Sequence, residues 1–213
     1  MPSEESFALA AQLQWVVQDP RVLAAIASVP RHRFVPPALR DRAYDNTALP
    51  IDCEQTISQP LVVARMLELL ELRGPERVLD VGTGSGYHAA LLAVLATEVV
   101  SIERHGTLSR QAGLVLAGLG IDNVRLIVGD GSAGAAELGP FDAINVAAAV
   151  VRSVPDALVE QLAPGGRLVA PVGPDPKRPE EQQLVVLRRD NGRVVQRRLE
   201  PVRFVPLVPG TDG

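Results

Sequence analysis

Apolar residues recur at helical spacing over residues 7–17 and again after Asp19-Pro20, until Val29-Pro30 ends the run. Two short helices are expected there, with Phe7, Leu9, Leu13 and Trp15 turned into the core. A polar, irregular stretch covers 44–58, and residues 60–72 have the Leu, Val and Met spacing of an amphipathic helix. After Gly74-Pro75 the pattern changes to short apolar runs at 77–81, 99–103, 124–128, 142–146 and 167–170. Helical segments at 87–95, 107–119 and 155–162 separate them. This alternation predicts right-handed βαβ crossovers and a largely parallel, Rossmann-like sheet with helices on both faces. Residues 184–188 and 194–199 flank Asp190-Asn191-Gly192, a turn suited to positive φ, and so add an antiparallel hairpin. The Pro-rich, charged stretch 171–183 reads as an exposed loop.

Composition narrows the class. The chain has 213 residues, is 46% hydrophobic and 22% charged, and carries a net charge of −4. Those values describe one globular domain and lack the basic footprint of a nucleic-acid binder. Residues 89–96 form the longest apolar run, far short of the roughly 20 residues a membrane span requires. The acidic start, Met1-Pro2-Ser3-Glu4-Glu5, is unlike a secretion or transit signal, and the single cysteine, Cys53, fits a reducing compartment. A cytoplasmic location follows as an expectation. His32, His88 and His105 show no metal-ligand spacing and read as surface or helix-end residues; no metal site is expected. Between 188 and 203 six arginines face only Asp190 and Glu200, which reads as a solvated sheet edge.

The first βα junction, Asp80-Val81-Gly82-Thr83-Gly84-Ser85-Gly86-Tyr87, is glycine-rich. Glycines there let a ligand approach the backbone, and the following helix offers free N–H groups. A dinucleotide site wants G-x-G-x-x-G, whereas this spacing is G-x-G-x-G, which favours S-adenosylmethionine over NAD. Glu103 ends the next strand, where a carboxylate can accept from ribose hydroxyls. Asp80 suits the ligand's amino group, and Asp130, within Gly129-Asp130-Gly131, suits the adenine amino group. The expected cofactor set is Asp80, Gly82, Thr83, Gly84, Ser85, Gly86, Glu103, Arg104, Asp130 and Gly131.

Together with Gln55-Thr56-Ile57-Ser58-Gln59-Pro60, these segments resemble the protein-L-isoaspartate (D-aspartate) O-methyltransferases. Supporting segments are Val29-Pro30-Arg31, Phe34-Val35-Pro36, Leu49-Pro50-Ile51, Phe141-Asp142-Ala143-Ile144, Gln161-Leu162, Pro164-Gly165-Gly166, Pro171-Val172-Gly173 and Arg203-Phe204-Val205-Pro206-Leu207. The resemblance implies an S-adenosylmethionine-dependent methyltransferase fold acting on isoaspartyl peptides or proteins, with no nucleic acid or membrane partner and a monomer favoured. It divides one domain, 1–213, into a helical cap and substrate loop (1–58), a cofactor core (59–173) and C-terminal strands with a groove tail (174–213). It also implies Ser58 at the transfer centre with Thr56 supporting it, and Ile57, Ala147, Ala148, Ala149, Val205 and Leu207 along the peptide groove. An acceptor carboxylate with a pKa of about 3.5 is already ionised, so no catalytic base is needed.

One segment departs from that family. Where it usually reads Ile-Gly-x-Gly, this chain has Ile51-Asp52-Cys53-Glu54. If this loop covers the acceptor, the two acids repel an incoming carboxylate; if it is solvated, a different turn absorbs the change. A relative that esterifies normal aspartate to form an imide would differ in this loop, and a non-catalytic peptide-binding module would keep only the fold.

Overall fold

The computed structural model of the chain describes residues 3–190 and 192–212. Met1, Pro2, Asn191 and Gly213 lie outside them, and with them the start of the N-terminal signal reading, the centre of the expected hairpin turn and the last residue of the proposed domain.

Helices α1 (Glu4–Leu13) and α2 (Pro20–Ser28) pair as a cap over the first core. Ser3 accepts from the Ser6 N–H and Asp19 accepts from the Arg21 N–H, so each helix starts on a side-chain cap. Helix α1 ends earlier than its apolar spacing suggests. Its buried stripe is Leu9, Ala10 and Leu13, continued by Val17, whereas Phe7 is 58% and Trp15 84% exposed. The expectation of core packing for those two aromatics is overturned: Phe7 lies two residues, about 200° of helix, from Leu9, and Trp15 lies past the helix end.

The polar stretch before α3 (Pro60–Leu70) contains a small antiparallel pair that the sequence pattern did not show, β1 (Leu49–Pro50) with β2 (Thr56–Ile57). The main sheet uses β3 (Arg77–Val81), β4 (Glu98–Glu103), β5 (Val124–Val128), β6 (Phe141–Val146), β8 (Leu162–Gly173), β9 (Gln183–Asp190) and β10 (Arg193–Pro201). Their spatial order is β10-β9-β8-β6-β3-β4-β5, with β7 (Val150–Val151) beside the end of β8. The five strands from β8 to β5 are parallel, and β9 and β10 continue the sheet antiparallel. Helices α4 (Tyr87–Leu95), α5 (Gly106–Gly118) and α6 (Asp156–Glu160) occupy three of the crossovers.

Alternating side chains serve two cores. Val78 and Val99 pack with the helices of the cap, while Leu79, Val100 and Ile144 pack with Leu158 on the other side. Strand β8 is longer than its apolar run predicts. Pro171, Val172 and Gly173 belong to it, with Val172 2% exposed, so the expected loop over 171–183 is confined to the residues after Gly173 and before β9. The arginine-rich β10 is exposed along most of its length, as a charged edge should be. No helix among the described residues is long and apolar enough to cross a membrane.

The β5–β6 connection has no α-helix, only a single 3-10 turn at Ala136–Leu138, and Gln161 holds it. The Gln161 Nε2 donates to the carbonyls of Ala133 and Ala157, and its Oε1 accepts from the Ala135 N–H.

Candidate active site

Strand order reverses around β3, so the carboxyl ends of β3, β4 and β6 splay around a crevice, the place where open α/β sheets bind ligands. A cavity opens there, the turn cavity. Its wall includes Gly82 and Gly84 after β3, Glu103 to His105 after β4, Gly131 after β5, and Ala147 and Ala148 after β6. Gln55 and Thr56 close one side and residues 205–208 another.

The glycine turn needs its glycines for conformation. Gly82, Gly84 and Gly86 have φ of 91°, 51° and 88°, and Gly86 ends the turn as the N-cap of α4. The N–H groups of Gly82 and Thr83 both donate to the Ile102 carbonyl, which fixes the turn to β4. Glu103 reaches back to it: its carboxylate accepts from the Gly84 N–H at 2.8 Å and from the His105 N–H at 3.0 Å. An ionised carboxylate offers about four acceptor positions, so roughly two stay free toward the cavity.

Beneath the turn lies a buried polar chain. Ser101 donates to Asp80 at 2.7 Å, Asn145 donates to it at 2.8 Å, and Thr83 meets Ser101 at 2.6 Å. Burial pushes the Asp80 pKa up to about 6, against the two hydrogen bonds that favour its charged form. Asp80 is fully buried and does not line the cavity, so it acts on the underside of the turn instead of facing a ligand. Thr83 is likewise buried, and Ser85 faces a separate cavity with Phe34, Ile51 and Asp52. Asp130 turns onto Ser132, accepting from its N–H and hydroxyl, and does not line the cavity. Burial opposes the Asp130 charge, but bonds from Ser132 and the Gly210 N–H hold its pKa low.

A second, open cavity of about 500 Å³ adjoins the first, and Thr56 lines both. This groove is bounded by Ser58, Gln59 and Val62 on one side and by Pro201 to Phe204 on the other, with Glu180 at its edge. Ile57 is 3% exposed and points into the core, away from both spaces. Ala149 acts through its backbone: its N–H donates to the Val205 carbonyl and its carbonyl accepts from the Leu207 N–H. The tail is thereby stitched to the end of β6. Arg104 and His105, both on the wall of the turn cavity, pair with Asp212, which ties the later tail to the end of β4.

Several residues of this site escaped the sequence reading. Gln55, His105 and Val208 line the turn cavity, and Arg203 and Phe204 line the groove with no acid-base or glycine signal to mark their roles. Gln182, within the stretch read as an exposed loop, is 2% exposed. Its side-chain amide bonds both the N–H and the carbonyl of Phe204, like a strand partner. His88, read as a surface or helix-end residue, is buried on α4, and burial pushes its pKa down to about 4. Asp52 turns outward, accepting from Gln111 on α5 at 2.7 Å, and neither Asp52 nor Glu54 lines the groove. Cys53 and Glu54 take φ of 56° and 58°, left-handed values that glycine adopts without penalty.

Residues 4–212 match the family Protein-L-isoaspartate(D-aspartate) O-methyltransferase. A Methanoregula boonei protein named protein-L-isoaspartate O-methyltransferase is 52% identical over 192 residues, 90% of this chain and 86% of the relative. A protein of the same name from Stenotrophomonas maltophilia is 54% identical over 195 residues, 91% of this chain and 84% of the relative. A solved protein-L-isoaspartate O-methyltransferase superposes with a TM-score of 0.82 at 29% identity, covering 93% of this chain. This chain spans 64% of that longer one. On the family match and the two close relatives together, the chain belongs to the protein-L-isoaspartate(D-aspartate) O-methyltransferase family.

Proposed function

We propose that this protein methylates the free carboxylate of isoaspartyl residues in damaged peptides and proteins, using S-adenosylmethionine and opening a route to repair through a succinimide. The observation that carries the reading is Thr56, whose side forms a wall common to the turn cavity and to the groove that holds Ser58. A methyl donor in one space and a carboxylate in the other would meet across that wall.

The turn cavity fits the donor. An ideal Cβ on Gly131 would fall 2.6 Å from Val81 Cγ1, so only glycine lets the β5 loop close against the end of β3. Glu103 keeps acceptor capacity for ribose hydroxyls, and the turn glycines leave backbone exposed for a close approach. When bound, S-adenosylmethionine supplies a methyl group on a sulfonium cation. The chain's own work is then orientation. Ser58 directs an acceptor oxygen and Thr56 holds the loop beside it, while the tail from Val205 to Leu207 with Ala147 and Ala148, expected along the peptide groove, lines the turn cavity instead. No side chain need remove a proton, because the acceptor is ionised at neutral pH. Alignment of two bound reactants can contribute about 7–11 kcal/mol, which suits a site without a base. Ile57 and Ala149 support these walls from behind. The exposed thiol of Cys53 supports a reducing, cytoplasmic setting.

Incubation with labelled S-adenosylmethionine and matched Asp and isoAsp peptides tests the proposal. Label on isoAsp alone supports repair. Label on Asp alone replaces it with deliberate imide formation, and label on neither peptide refutes methyl transfer to this residue class.

A further inference from the structure

Arg31 is 0% exposed, a cation sealed in the core of the cap. Such burial is costly unless the charge is paired and fully hydrogen-bonded. Yet among the described residues no carboxylate forms an ion pair with it. Its Nη1 has no hydrogen-bond partner there. What it does hold is backbone. The Nε donates to the Ala43 carbonyl at 2.7 Å, and Nη2 donates to the Ser58 carbonyl at 2.9 Å. The ring of Tyr87, at the start of α4, lies under the guanidinium with its centroid 4.9 Å from Cζ. Burial lowers the Arg31 pKa to about 10, which still leaves it charged at neutral pH.

The two carbonyls identify what this cation is for. Ser58 is the last residue before Gln59, the N-cap of α3, and it follows a strand of only two residues, Thr56–Ile57. A pair that short cannot by itself fix what comes next. With the Ser58 carbonyl anchored, the plane of the Ser58–Gln59 peptide is set, which narrows the ways Ser58, a residue of the groove wall, can be turned. The planar fork of an arginine can reach two carbonyls with fixed relative geometry, which the single point charge of a lysine does not reproduce.

We propose that Arg31 is a positioning residue for methyl transfer, orienting Ser58 by holding the carbonyl oxygens of Ala43 and Ser58 together. The inference rests on the isoaspartyl methyltransferase reading above. It assigns the buried Arg31 of Val29-Pro30-Arg31 a part in turnover rather than in binding.

The test is steady-state kinetics with S-adenosylmethionine and an isoaspartyl peptide, on full-length wild type, Arg31→Lys, Arg31→Gln, Ser58→Ala and the Arg31→Lys/Ser58→Ala double variant. Thermal unfolding and calorimetric S-adenosylmethionine affinity accompany each. Arg31→Lys is expected to keep its fold, its cofactor affinity and its peptide KM while kcat falls about 100-fold, the scale of a misplacement near 1 Å. In the Ser58→Ala background the same change should cost little more, because its effect passes through Ser58. An unchanged kcat, a rise in KM alone, or losses that multiply in the double variant overturn the proposal. So does loss of the fold in both Arg31→Lys and Arg31→Gln, which makes Arg31 a core residue only. Wild type that labels no isoaspartyl peptide removes the functional reading itself; wild type that labels it while Arg31→Lys turns over normally removes only Arg31.

Discussion

The turn cavity and the groove share Thr56 but are held by different means. The turn cavity is assembled from the ends of adjacent parallel strands, and its turn is tied down by backbone N–H groups bonded to Ile102 and by Glu103 bonded to Gly84. The groove is assembled from segments far apart in sequence, Thr56 to Val62 and Pro201 to Phe204, and a buried side chain is among the contacts that hold each. Arg31 pins the first and Gln182 pins the second. Sheet register thus shapes the first space and individual clamps shape the other. Damage should therefore separate: changes at the clamps fall on acceptor handling, and changes at the strand ends fall on the cofactor.

Ser58→Ala should produce the largest effect, a loss of roughly 100-fold in kcat with S-adenosylmethionine affinity intact, the pattern of a contact made in the transition state. Equal losses in kcat and cofactor affinity would break the division between the two spaces. Glu103→Ala should weaken S-adenosylmethionine by roughly 10- to 100-fold in calorimetry, since each charge-assisted hydrogen bond contributes about 1.5–3 kcal/mol, while isoaspartyl peptide KM at saturating cofactor stays put. Gln182→Ala leaves the buried Phe204 N–H and carbonyl unpaired. It should cost about 2–3 kcal/mol in denaturant unfolding and raise peptide KM more than it weakens the cofactor.

Proton linkage adds a further contrast, between two buried titrating groups of the molecule. Asp80 lies under the turn with its pKa raised to about 6, and His88 lies near Arg31 with its pKa lowered to about 4. Native Asp80 holds its proton more tightly than an unfolded carboxyl does, so its contribution is complete below pH 3.8 and is lost as pH rises through 6. Native His88 resists its proton, so its contribution is complete above pH 6.5 and is lost as pH falls through 4. Across pH 4 to 6 the slopes oppose, and wild-type stability should be nearly flat. Unfolding of His88→Gln should instead show stability declining as pH rises through that window; a slope of the other sign would remove Asp80 as the group responsible. The smallest effect belongs to the departing loop. Glu54→Gly, at φ 58°, should stabilise the fold by about 0.5–1 kcal/mol after the extra chain entropy of glycine is subtracted, with isoaspartyl KM unchanged at low and high salt.

The same division explains what was legible in the sequence. Strands β3 to β6 and the helices between them announce themselves by local periodicity, and the glycine turn lies at one junction, so the place of the turn cavity and the residues Gly82, Gly84, Glu103, Arg104 and Gly131 on its wall are legible in the sequence. The exceptions are Asp80, buried under the turn from within β3, Thr83, also buried, Ser85, which faces another cavity, Gly86, the N-cap of α4, and Asp130, turned onto Ser132; a spacing motif marks the junction without setting where each residue of it points. The groove had no such local signature. Thr56 and Ser58 were found only through a motif. Gln182 sits among Pro179, Glu180 and Glu181, where composition argues for solvent, and only the return of the chain at Phe204 makes it a clamp. Phe7 and Trp15 depart from expectation for another reason: they share the first helical segment with Leu9 and Leu13, but Leu9, Leu13 and Val17 already supply its buried stripe.

Two occupants that press on one wall are thermodynamically linked. Arg203 and Phe204 border the groove, and the chain runs on directly to Val205, Leu207 and Val208 at the turn cavity, with Thr56 opposite in both. If an acceptor in the groove tightens nucleotide binding by some factor, the nucleotide must tighten acceptor binding by that same factor. The two products of a transfer would then leave as a coupled pair. Comparing the affinity for S-adenosylhomocysteine with and without methylated peptide would measure that coupling directly.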